Sequence, residues 1–171
     1  MSEIVIPVKS LSHECRVFDY KVDENFTSSF ADNGIIKADC DVHIEAEKKT
    51  DWVEIVCNVN GYVTVLCDRC LDPLKLPVEV SQLLTVRFDK EPDDIVEEDD
   101  NVIVLNDYEN ELDLGQSVYD FICLSIPLKR VHSDGECNPQ MLSKIGNRES
   151  NADNGNSPFY DLKKILENNN N

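Results

Sequence analysis

Positive charge is scarce in this chain. Sixteen Lys and Arg stand against thirty-four Asp and Glu in 171 residues, a formal net charge of −18. A field of that sign repels phosphate backbones and favours basic partners, which argues against broad RNA or DNA binding and leaves room only for a local basic patch. Long apolar runs are missing too, so no membrane span is expected. The start, "MSEIVIPVKS", lacks a basic stretch followed by an apolar core, and a secretory signal is not expected either. There is no phosphate-binding glycine loop, no serine-centred nucleophile motif, no His-Glu-x-x-His and no internal repeat. The seven cysteines are odd in number and irregular in spacing, which excludes a disulfide framework and fits reduced thiols in a cytoplasmic protein. A chain of this length buries enough surface to fold as one domain without disulfide or metal.

What the sequence does have is alternation. From 35 to 46, Ile36, Ala38, Cys40, Val42, Ile44 and Ala46 fall on one side, with Lys37, Asp39, Asp41, His43 and Glu45 on the other. That is a half-buried strand with one wet face; it makes Cys40 a small core residue and His43 a surface one. Residues 52–66 repeat the pattern through Val53, Ile55, Cys57 and Val59; Gly61 interrupts it as a bulge or bend would, and Val63 and Val65 resume. In a third run Leu74, Leu76, Val78, Val80, Leu84, Val86 and Phe88 share a face, with Gln82 the exception. Pro77 cannot donate to a ladder, which puts this strand at an edge near that point. Segments 4–9 and 14–22 are weaker strands, and 102–105 is a short last one.

The period then changes. Leu114, Val118, Phe121, Ile122 and Ile126 recur at helical spacing, Glu111 and Asp113 suit the positive end of the helix dipole, and Pro127 stops the helix. Cys123 on this helix reads as packing. Asn138-Pro139 caps a short helix through Met141, Leu142 and Ile145, and Ser157-Pro158 opens another with Phe159, Leu162, Ile165 and Leu166 as its stripe. The expected architecture is α+β: a mainly antiparallel β-sheet, able to curl towards a barrel, with a C-terminal group of two or three helices. Residues 1–146 are expected as a single α+β domain with an acidic loop at about 90–101. Residues 147–157 follow as a flexible linker, 158–167 as a C-terminal helix and 168–171 as a tail.

One stretch carries candidate chemistry. "VLCDRCLDPL" (65–74) holds Cys67 and Cys70, the chain's one Cys-x-x-Cys pair, in the turn between the second and third long strands. Zinc takes four ligands in a tetrahedron, and such a turn supplies two. The best remaining cluster is "RVHSDGEC", with His132 and Cys137. A Cys₃His site of Cys67, Cys70, His132 and Cys137 would pin the C-terminal region to the sheet, if the helix ending at Pro127 returns the chain to the hairpin turn. Two other readings stay open: a redox couple, which lacks a thioredoxin-like βαβ context, and a set of unliganded side chains. Arg69 between the thiols is expected to favour their thiolate forms, as any nearby cation does, which would help metal binding and oxidation alike. No carboxylate sits in a catalytic motif, and His13 and His43 lie far from other candidate ligands. No enzyme active site is legible.

The segment "VTVLCDRCLDPLKLPVEV", the acidic linker after it and "ELDLGQSVYDFICLSIPLKRVH" together resemble the YceD family, bacterial and plastid proteins named for large-subunit ribosomal RNA accumulation. Cys67-x-Arg69-Cys70 lies between long strands, with Arg69 a family marker. "Leu-Asp-Leu" at 112–114 opens the helix, and "Ser-Ile-Pro-Leu" at 125–128 ends it. Many family members carry Cys-x-x-Cys-Gly after that helix, where this chain offers only His132 and Cys137. The resemblance implies a non-catalytic factor in large ribosomal subunit assembly or ribosomal RNA processing. Combined with the charge, it points to a basic ribosomal protein or an assembly intermediate as partner. The alternatives are an RNA-binding processing factor using a patch of Lys129, Arg130 and His132, and a zinc-dependent enzyme or redox protein.

Overall fold

A computed structural model describes residues 4–30, 34–89 and 101–146. The expected acidic loop lies outside the described residues but for Asn101, and the linker, C-terminal helix and tail lie wholly outside them. The described residues divide into two compact units: those within 4–66 and 73–130, and those within 67–72 and 131–146.

The first unit is built on strands β1 (Val5–Ile6), β2 (Arg16–Val22), β3 (Ile35–Lys48), β4 (Trp52–Leu66), β5 (Pro73–Asp89), β6 (Val102–Asn106) and β7 (Leu112–Asp113). Helices α1 (Glu24–Thr27) and α2 (Gly115–Ser125) complete it, with a 3-10 turn at Val8–Ser10 that cuts the strand expected over 4–9 to Val5–Ile6. Five strands form one sheet in the order β2-β3-β4-β5-β6, antiparallel except for the parallel β5–β6 pair; β1 and β7 pair separately. The fold class is therefore α+β as the alternation implied. The sheet does not curl into a barrel, since β2 and β6 remain its two edges among the described residues. Its apolar face is covered instead by the short β1–β7 pair and by α2, whose N-cap Leu114 and whose Val118, Tyr119 and Ile122 are buried in the same core as Val42, Ile44, Ile55 and Val59. A core roofed by a helix has no need of a closing strand.

The predicted faces hold with one local exception. Ala38, Cys40, Val42, Ile44 and Ala46 of β3 are buried, as are Val53, Ile55, Cys57, Val59, Val63 and Val65 of β4. Ile36, expected on the core side, is 39% exposed. The register slips between Ile35 and Lys37, so Ile35 packs against the core in its place. Cys40 and Cys57 are core residues; burial pushes the Cys57 thiol up to about 11, which keeps it protonated and inert. His43 lies on the wet face, its Nδ1 2.7 Å from Asp19 Oδ1.

α2 begins later than the apolar spacing suggested. Leu112–Asp113 is taken by the pairing with β1, and the Asp113 carboxylate accepts the Gly115 N–H at 2.7 Å. Glu111 lies before that strand, outside the helix. Phe30 stacks on Tyr119 with ring centroids 4.4 Å apart, tying the segment after α1 to the helix. The second unit holds helix α3 (Pro139–Gly146), where the Asn138 side chain accepts the Gln140 N–H at 3.0 Å as a cap should. No helix among the described residues is long and apolar enough to cross a membrane.

Candidate metal centre

The four side chains singled out from the sequence come together in the second unit. The ligand atoms of Cys67, Cys70, His132 and Cys137 all lie within 4.8 Å of one another. Two segments supply them. The first is the loop Cys67–Asp72 that joins β4 to β5; the second is the chain from Val131 to the start of α3.

The loop is a tight reversal with its own hydrogen bonds. The Leu71 N–H donates to the Cys67 carbonyl at 2.9 Å, and the Cys67 N–H donates to the Asp72 carbonyl at 3.0 Å. This closure requires a left-handed residue at Leu71, with φ of 62°. A side chain there costs about 1–2 kcal/mol, where glycine would be free of the clash. Leu71 is 58% exposed, so its side chain recovers little by packing. Replacing Leu71 with glycine should therefore raise stability by about 0.5 kcal/mol after the backbone-entropy loss. Valine, branched at Cβ, should lower it by about 1 kcal/mol. Denaturant midpoints of the two variants against wild type check both signs.

On the other side, Gly135 takes a φ of 88° and the Glu136 N–H donates to the Ser133 carbonyl, folding "HSDGEC" back on itself. Cys137 directly precedes the capping Asn138, so the start of α3 sets where its thiol points.

The distances have the dimensions of a metal cage. Cys67 Sγ lies 3.9 Å from Cys137 Sγ, Cys70 Sγ 3.4 Å from His132 Nδ1, and Cys137 Sγ 3.9 Å from His132 Nδ1. For tetrahedral zinc, with bonds of ~2.3 Å to sulfur and ~2.0–2.1 Å to nitrogen, the edges are about 3.8 Å between sulfurs and about 3.6 Å between sulfur and nitrogen. The sulfur separation is far too long for a disulfide, and all seven cysteines are free thiols. Three soft thiolates and an imidazole suit zinc far better than magnesium or calcium, which prefer oxygen.

Electrostatics prepares one thiol for this role. Burial pushes the Cys67 thiol up, but the backbone N–H groups of Cys70, Arg69 and His132 and the Cys70 side chain hydrogen-bond to its sulfur. The balance lowers it to about 5. Cys137 goes the other way: burial raises it, as do its hydrogen bonds to the Cys67 and Cys70 sulfurs, and the Arg69 charge offsets this only in part. The sequence identified the four side chains and the proximity of Arg69. It did not signal the three N–H donors to Cys67 or the left-handed Leu71, because both follow from the backbone path of the loop. Cys123 packs against the core of the first unit, not in the cluster. Lys129 and Arg130 follow α2, with Lys129 exposed and Arg130 half-buried, and the Arg130 guanidinium lies close to Gly34.

Comparison with known proteins adds one finding. The model of the family described as large ribosomal RNA subunit accumulation protein YceD matches residues 55–166. No match was found among curated proteins or solved structures. The matched stretch runs from near the start of β4 past α3, takes in all four clustered side chains and spans more than half of the chain, which therefore belongs to the YceD family.

Proposed function

We propose that the protein is a cytoplasmic, non-catalytic factor in large ribosomal subunit assembly, stabilised by structural zinc and acting on a basic protein partner. Family membership is the observation that carries the reading, since the family is named for accumulation of large-subunit ribosomal RNA. Three features support the mechanism. The donor set of three thiols and one imidazole would fill all four zinc positions, the arrangement of structural rather than catalytic sites. A net charge of −18 suits it to shielding a positively charged ribosomal protein until that protein meets RNA. Its acid is spread over the open face of the sheet as well as the run at 91–100, with Asp19, Asp39, Asp41 and Glu45 all exposed there or nearly so.

Depletion followed by sedimentation of ribosomal particles tests the role. The expected result is a fall in large subunits and in their RNA relative to small subunits, restored by the wild-type gene. An unchanged ratio would remove the assembly reading. Partner chemistry is checked by affinity purification at low salt. A ribosomal protein or assembly factor should be enriched over an unrelated protein of matched charge and released as salt rises. Titration with ribosomal RNA fragments separates the alternative: phosphate contacts give a steep salt slope, and tight binding of that kind would favour direct RNA contact.

A further inference from the structure

β5 is seventeen residues long, yet β6 pairs with only its last five, Thr85 to Asp89. Among the described residues the outer edge from Pro73 to Leu84 therefore has no strand beside it. Its polarity can be read from one bond. The Thr85 N–H points outwards, to the Asn101 carbonyl at 2.8 Å. Backbone direction alternates along a strand, so Leu83, Ser81 and Glu79 also turn their N–H and C=O groups to this edge. Pro77, the next residue of the same set, has no N–H and ends the usable ladder.

A groove runs beside this edge. It has a volume of about 380 Å³, lies between β5 and α2, and is walled by Val80 and Gln82 on one side and by Phe121 and Leu124 on the other. Leu124 is 84% exposed and Phe121 only half-buried, so the helix presents apolar surface towards it. A bare strand edge beside a helix is the geometry in which extended peptides add as a further strand: main-chain bonds give affinity, and alternate side chains enter the groove. Among the described residues Glu79 is the one charged side chain lining it.

We infer that the Glu79–Leu83 edge of β5 and the groove beneath α2 take up an extended segment of a basic protein as a sixth strand. Apolar side chains of that segment seat on Phe121 and Leu124, and a lysine or arginine of it faces Glu79. This rests on the basic-partner reading above and specifies where on the chain the partner binds.

The test uses the full chain and two synthetic probes, an alternating Lys–Val peptide and an alternating Lys–Gly peptide of equal charge, titrated at low salt. Lys–Val should bind at least about tenfold more tightly and slow amide exchange at Glu79, Ser81 and Leu83. Ser81→Pro, which removes an edge donor, and Leu124→Ser, at an exposed site, should each weaken Lys–Val about tenfold while Lys–Gly changes little. Should Ser81→Pro fail to fold, Leu124→Ser and the exchange data still decide. Equal binding of both probes, with neither edge protection nor an effect of Leu124→Ser, overturns the groove but leaves the basic-partner reading standing. Failure of the full chain to capture any ribosomal protein, with Lys–Val still seated at the edge, does the reverse. Two other results also overturn the inference. Edge protection that grows with protein concentration alone assigns the edge to a second copy, and protection lost on removing residues 158–171 assigns it to the chain's own C-terminal segment.

Discussion

Cys67→Ser is expected to turn a protein that purifies with one zinc per chain into one with almost none. Cys67 contributes a thiol lowered to about 5, and three backbone N–H groups are arranged around its sulfur. Serine keeps the shape but offers a hydroxyl that zinc does not deprotonate readily, so affinity should fall by more than about a hundredfold, beyond the effect of losing an outer-shell partner. Zinc held by the four side chains would link the Cys67–Asp72 loop to the chain after Val131, and binding energy at such a site is folding energy. Amide protection should therefore disappear from α3 and from both ligand segments, while the strands of the first unit keep theirs. Metal analysis and hydrogen exchange on the same samples check the two halves of the expectation. Wild-type protein that is free of metal and still protected over 131–146 would end the structural-zinc reading.

The pH dependence has a defined sign. Without metal, the Cys67 thiol is lowered from an ordinary 9.0 to about 5. A group lowered by folding stabilises fully above its ordinary value, and that stabilisation is lost as pH falls through the folded one. Metal-free wild type should thus become less stable as pH drops from 9 towards 5, and Cys67→Ser should flatten this slope. With zinc the same titration governs release: protons compete with metal for the thiolates, and binding must expel a proton from Cys137, whose thiol is raised. Zinc retention is expected to improve as pH rises above neutrality. A retention curve flat from pH 5 to 9 would show that thiolates do not hold the ion.

Much of this was written in the residue order. Strict alternation identified the three long strands, because one buried face and one wet face leave a period of two. The four clustered side chains were legible because a Cys-x-x-Cys turn needs two more donors and one nearby segment offered both. Open sheet topology was not legible: alternation describes the faces of strands and is silent on whether the outermost two meet. The slip at Ile36 escaped for a similar reason, since Ile35 and Ile36 are adjacent isoleucines and only the register with β4 decides which is buried. Gln82 is instructive in the other direction. A polar exception on an otherwise apolar face, it lines the groove between β5 and α2.

Gly61→Ala should be the most damaging single-methyl change in the sheet, costing about 3 kcal/mol. The sequence suggested a bulge or bend at this glycine. Instead β4 runs straight through it, paired with Cys40 on one side and Val78 on the other without a break in register. The reason for glycine is close approach: an added Cβ would collide with the Asp39 carbonyl oxygen and the Cys40 Cα, both backbone atoms of β3. Its φ of 157° lies at the border of the range that side chains tolerate, which adds to the strain. Backbone cannot rotate away as a long side chain can, so relief requires β3 to move off β4 in the centre of the sheet. Asn60→Ala, next door and exposed, is the control and should stay within about 0.5 kcal/mol. Urea unfolding resolves the difference, because a change in stability shifts the midpoint and leaves the slope alone. A cost for Gly61→Ala below about 1 kcal/mol would mean that the strands separate freely there, and that the glycine serves flexibility and not contact. A cost near the expected value would make β3 and β4 a rigid pair, from whose end the chain passes directly into Cys67.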